Sequence, residues 1–107
     1  MSGVYEGWTE APRSYYSEQY LRLLEELSKI ALRFEDWPGA LRLAQKILRD
    51  DQLREDIHCI AMRALAAQGN RGGLKDQYDL LKRILREELD VDPAAETQRV
   101  YRELLQG

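Results

Sequence analysis

The chain has little of what catalysis, metal binding or membrane insertion needs. Its 107 residues include one cysteine and one histidine, Cys59 and His58, side by side. A lone cysteine excludes an internal disulfide and suits a reducing compartment, so the cytoplasm is the expected location. A zinc site takes about four ligands, and adjacent helical residues point in different directions. No metal and no cofactor are therefore expected. No apolar run approaches the roughly 20 residues that span a bilayer. No serine stands beside a base at a strained turn, and the carboxylates are scattered among basic residues, so no enzyme is expected. Net charge is −3, so the chain as a whole does not attract a phosphate backbone. Strand-like alternation bounded by turn residues is also missing.

What remains is helical periodicity. Residues 1–13 carry two glycines and a proline with no period, and are expected to be irregular, with Tyr5 and Trp8 too apolar to stay in water. From Ser14 onward Tyr16, Tyr20, Leu23, Leu24, Leu27, Ile30, Ala31 and Phe34 recur at steps of three and four, which predicts a long helix with one core face. Ser14 and Ser17 are candidate N-caps. Asp36 or Trp37 before Pro38 opens a second helix, because proline fits only the first turn. Asp50 or Asp51 is the candidate cap of a third, through Ile57, Ile60, Ala61, Ala64 and Leu65, and Cys59, Met62 and Ala66 give it a second apolar side. Two apolar sides predict a helix sandwiched between neighbours. Asn70 caps a fourth, and Asp92-Pro93 opens a fifth through Val100, Tyr101, Leu104 and Leu105.

Two of these breaks match. Asp36 and Asn70 lie 34 residues apart, and the same offset carries Leu27 to Ala61, Ala31 to Leu65, Ala40 to Leu74 and Ile47 to Leu81. A helical pair repeating at about 34 residues is the period of the tetratricopeptide repeat, whose units stack because one pair cannot bury its apolar face alone. Gly69, Gly72 and Gly73 then read as a joint rather than a phosphate cradle. A phosphate loop follows a strand and ends in Gly-Lys-Ser/Thr, and "GGLKD" does neither. The expected fold is all-α, a tetratricopeptide-like right-handed stack of about five antiparallel helices over residues 14–107.

The stretches "LREDIHCIAMRALAAQGNRGGL", "QYDLLKRILREELDVDPAAET" and the closing "YRELL" resemble the bacterial transcriptional activator domain of Streptomyces-type antibiotic regulatory proteins. "GVYEGWTEAPRSYYSEQYLRLLEEL" resembles that family's approach to its first long helix. Departures are small: Gln52 stands where proline is frequent, and Leu74 and Lys75 where alanine and leucine are common. The resemblance implies an interaction and oligomerisation domain of a transcription regulator, self-associating as a homodimer. DNA contact would come only through a winged-helix domain absent from this chain. The chain is accordingly expected to be a fragment, also without the family domain's first helices. A tetratricopeptide adaptor unrelated to transcription is the alternative.

Tetratricopeptide arrays bind partners in a concave groove lined by the first helix of each pair. At this register the candidate lining is Arg22, Lys29, Leu32 and Arg33 from the first helix and Cys59 and Arg63 from the third. Leu32 lies off the core stripe and is expected to lack an intrachain partner, unless it packs on Trp8. Lys75, Lys82 and Arg86 form a basic stripe that Asp76 and Asp79 interrupt, which reads as a solvated face. Glu25–Lys29 and Asp79–Arg83 are spaced as surface ion pairs.

Overall fold

The computed structural model describes the backbone of residues 2–107 and the side chains of residues 17–107. Five helices follow one another: α1 (Ser2–Arg33), α2 (Trp37–Asp50), α3 (Glu55–Ala67), α4 (Arg71–Leu89) and α5 (Ala95–Gln106). There is no strand among the described residues, and the fold is all-α. α1 packs on α2, α2 on α3 and α3 on α4, while α3 also touches α1 and α5. The molecule measures 59 × 35 × 19 Å. Its least dimension is about two helix diameters, a two-layer stack.

α3 is sandwiched, as its two apolar sides require. Ile57, Ile60, Ala61 and Ala64 join Leu24, Ala31, Ala40, Ala44 and Ile47 in one core cluster, while Met62 and Leu65 join Leu74 in a second. Ala40 and Ala44 are fully buried, so small side chains let α2 approach its neighbours closely.

The joints α1–α2 and α3–α4 are built alike, atom for atom. The first helix of each ends on a left-handed residue, Glu35 (φ 61°) and Gly69 (φ 76°). Glu35 N–H donates to the Leu32 carbonyl and Asp36 N–H to that of Ala31; Gly69 N–H donates to Ala66 and Asn70 N–H to Leu65. This paired return of the chain satisfies carbonyls that the helix end would leave bare. The next residue then caps the following helix. An Asp36 carboxylate oxygen accepts from Gly39 N–H at 3.1 Å, and the Asn70 side-chain oxygen from Gly73 N–H at 2.8 Å. Every one of these bonds recurs at the 34-residue offset seen in the sequence. Gln68-Gly69-Asn70 is a helix-to-helix joint.

Three boundaries differ from the sequence expectation. α1 continues through residues 2–13, read as irregular, and through Ser14 and Ser17, read as caps. Extending an existing helix fixes one residue per new bond, far cheaper than nucleating one, and Gly3, Gly7 and Pro12 do not outweigh that. The side chains of Tyr5, Trp8 and Tyr16, and any contact of Trp8 with Leu32, lie outside the described residues. Asp50 and Asp51 do not cap α3; Asp50 is the last residue of α2, Asp51 is its C-cap, and α3 starts at Glu55 after Arg54. Asp92-Pro93 stands before α5 rather than in it, because Arg86 holds Asp92 at 2.6 Å. The start of α5 is held instead from α3: a Glu55 carboxylate oxygen accepts from Ala94 N–H at 3.0 Å and from the Thr97 hydroxyl at 2.8 Å. A carboxylate at a helix N-terminus also meets the favourable end of the helix dipole.

Candidate functional site

The apolar period of α1 divides into two faces. Leu24, Ser28 and Ala31 are buried against α2 and α3, with Leu21 and Leu32 packed beside the same cluster. Tyr20, Leu23, Leu27, Ile30 and Phe34 were expected on that core face but remain 51, 56, 40, 42 and 77% exposed. The apolar arc of α1 is too wide for its two neighbours to cover. Their positions, 20, 23, 27, 30 and 34, alternate steps of three and four. Such a narrow row is the seam of a helix–helix contact rather than a face laid on a globular core.

Charges border this seam on the side away from the core. Glu26, Lys29 and Arg33 are exposed there. Lys29 bridges Glu25 at 3.0 Å and reaches Glu26 at 3.8 Å. Glu25 in turn accepts from Arg54 at 2.8 Å, and Arg54 also binds Asp56 at 2.7 Å. Arg54 first and Lys29 second hold the Glu25 carboxyl below its usual range, and Arg54 does the same to Asp56. This chain of ion pairs ties α1 to the start of α3.

The six residues expected to line a groove are distributed over two places. Arg22, Lys29 and Arg33 are exposed on α1. Leu32 is half-buried and packs on the first core cluster, so the expectation that it lacks an intrachain partner is corrected. Cys59 and Arg63 line a cleft of about 400 Å³ between α3 and α5, with Ile60, Thr97 and Val100 on its walls. The Cys59 sulfur lies 4.0 Å from the Thr97 hydroxyl, and burial pushes its thiol pKa up, away from a reactive thiolate.

His58 is a structural residue. It is buried, with Nε2 2.9 Å from the Gln52 carbonyl and Nδ1 2.8 Å from the Gln77 amide nitrogen. A neutral ring fits both partners, donating through Nε2 and accepting at Nδ1. Burial holds its pKa below the usual value, against the Gln52 carbonyl, Glu55 and Asp56, which favour the charged ring. Among the described residues no cluster of His, Cys, Asp and Glu is arranged to hold a metal ion.

Two of the three basic residues of the α4 stripe, Lys75 and Arg86, are paired with carboxylates. Lys75 bridges Asp79 at 2.8 Å, so Asp79 pairs backwards rather than with Arg83. Lys82 lies 5.8 Å from the centre of the Tyr78 ring, which stacks on Tyr101 at 3.9 Å. Arg86 bridges both Asp90 and Asp92. No helix of the described residues is long and apolar enough to cross a membrane.

Sequence reasoning missed two features. The exposed seam was visible as the 3–4–3–4 spacing but was merged with the core stripe beside it. The Glu55 cap had no local signal, since its partners Ala94 and Thr97 lie about 40 residues away. Compared with family models, residues 1–105 match the one described as the bacterial transcriptional activator domain. No curated protein and no solved structure matches the chain.

Proposed function

The chain belongs to the bacterial transcriptional activator domain family, and from that membership we propose that it is the protein-interaction and self-association unit of a bacterial transcription regulator. The family is regulatory rather than enzymatic. It favours this reading over an adaptor unrelated to transcription. The observation that carries the interaction role is the exposed row Leu23, Leu27, Ile30 and Phe34 on α1. A soluble monomer rarely leaves a contiguous apolar row in water, and such a row marks a contact surface. Contact with DNA is left to a winged-helix domain outside this chain. The paired charges of α4 and the net charge of −3 support that division, because little counterion release is on offer.

The test is genetic. The gene carries Leu23→Glu and Phe34→Glu together, the two most exposed aliphatic and aromatic positions of the row. At unchanged protein level this variant should reproduce the transcript changes seen on deleting the gene. A transcript profile indistinguishable from wild type would refute the role of this surface in regulation.

A further inference from the structure

Arg63 lacks the neighbours that its counterpart in the first unit keeps. At the 34-residue offset Arg63 of α3 corresponds to Lys29 of α1, and Cys59 and Ile60 correspond to Glu25 and Glu26. Lys29 bridges both glutamates. In the second unit the cation is retained while both of its counter-ions are replaced by uncharged side chains. Arg63 is exposed and bridges no carboxylate among the described residues, Glu103 of the adjoining cleft included. The other charges lining the cleft between α3 and α5 are already paired, Asp56 with Arg54 and Glu96 with Arg99. The cleft therefore holds one uncompensated positive charge beside the apolar walls of Ile60 and Val100.

We propose that the α3–α5 cleft binds an acidic segment of a partner protein, with an Asp or Glu carboxylate on Arg63 and a neighbouring large apolar side chain on Ile60 and Val100. The proposal rests on the interaction role given above, and adds to the α1 row a second surface with a partner chemistry of its own. A guanidinium takes a carboxylate through two parallel N–H bonds, and apolar walls that keep water away strengthen them. The shape points to a polypeptide rather than a small metabolite. The cleft is about 400 Å³ and open enough to leave Arg63 exposed, whereas small-molecule sites enclose most of their ligand. It has room for a side chain or two, with the rest of the segment running along the groove between the helices. The apolar contact supplies most of the affinity, and Arg63 selects the sign of the partner's charge.

Random peptides displayed on phage are panned on the wild-type chain after depletion on Arg63→Glu, which removes binders of the α1 row. The retained sequences should carry Asp or Glu beside Leu, Ile or Phe. A synthetic peptide of that kind should slow the reaction of Cys59 with a thiol reagent, because the single cysteine lines the same cleft. Arg63→Ala should weaken its binding by about fivefold. Arg63→Glu should prefer the version of the peptide with Lys in place of the acid. Both variants should melt with wild type, since the Arg63 side chain is exposed. Retained sequences without an acidic residue overturn the proposal, as does peptide binding that Arg63→Ala leaves unchanged or that leaves Cys59 as reactive as before. Protection of Cys59 by free acetate or glutamate at the same concentration overturns the polypeptide as occupant. The transcript test above reads α1 alone, so an effect there with no acidic peptide bound here keeps the interaction role and loses only this surface.

Discussion

Glu35 and Gly69 occupy the same place in two identical joints, yet only one of them is a glycine. An L-residue in the left-handed region costs about 1–2 kcal/mol, from the approach of its Cβ to the following carbonyl. Glycine avoids that cost but loses about 0.5–1 kcal/mol of extra chain entropy on folding. Glu35→Gly should therefore stabilise the domain by about 0.5–1 kcal/mol, since the Leu32 and Ala31 bonds of the joint use backbone atoms alone. Gly69→Ala should destabilise by a similar amount, and for one reason only. A Cβ built at Gly69 meets nothing within 4 Å, so the change is conformational and not steric. For a domain of this size 1 kcal/mol corresponds to about 4–8 °C in Tm. Thermal melts and urea titrations of the two variants and of wild type are the assay. A Glu35→Gly variant that melts below wild type would refute the reasoning, as would a Gly69→Ala variant that melts with it. Gly73→Ala is the steric contrast, because its Cβ would stand 2.6 Å from the Asn70 amide nitrogen and displace the cap, costing about 1 kcal/mol.

Acid should weaken the fold in a window set by His58, the single histidine. Its folded pKa lies below the unfolded value of about 6.5, so stability is fully present above that and lost as pH falls below it, by at most about 1.4 kcal/mol per pH unit. A melting temperature flat from pH 7 to pH 5 would contradict this, since Glu25, Asp56 and Asp79, whose pKa values are lowered, lose their contribution only at lower pH. Ala40→Leu should cost about 1–3 kcal/mol by overpacking, since Ala40 has no exposed surface; an unchanged melt would show that the core yields there. Glu55→Ala should cost about 1–2 kcal/mol and raise hydrogen exchange in Ala95–Gln106 before it does so elsewhere, because it removes the acceptor of Ala94 N–H and of the Thr97 hydroxyl.

The helices and their pairing were legible because they depend on local chemistry. Asp36 with Gly39, and Asn70 with Gly73, place a cap and its receiving N–H three residues apart, so the two joints can be read directly. The apolar period located Ala40, Ala61, Leu74 and Leu81 in the core. What period cannot do is say how many neighbours a helix has. Leu24 and Leu23 are adjacent leucines in one apolar arc, and only the position of α2 and α3 decides that the first is buried and the second is not. Leu32 was misread for the mirror-image reason, since a residue off the main stripe still met a neighbour. The start of α5 shows a third limit. Asp92-Pro93 is a good local signal for a helix start, but a long-range carboxylate from α3 and the pull of Arg86 on Asp92 fix the boundary elsewhere.

The order of helix contacts also has a kinetic consequence. Three of the five helix pairings join neighbours along the chain and the other two skip a single helix, so the loops that must close during folding are short and their entropy cost is small. Such chains fold in microseconds to milliseconds, with little time in half-formed states. Coupling converges on α3, which among the described residues is the one helix that packs on all the others. α1 and α5 can therefore peel away independently, while loss of α3 unfolds everything at once. Opening of α5 alone would bare Val100 and widen access to Cys59 while leaving α1 and its seam in place. A thiol-reactive probe in native conditions should accordingly label the half-buried Cys59 faster than global unfolding allows, and faster still where α5 is loosened.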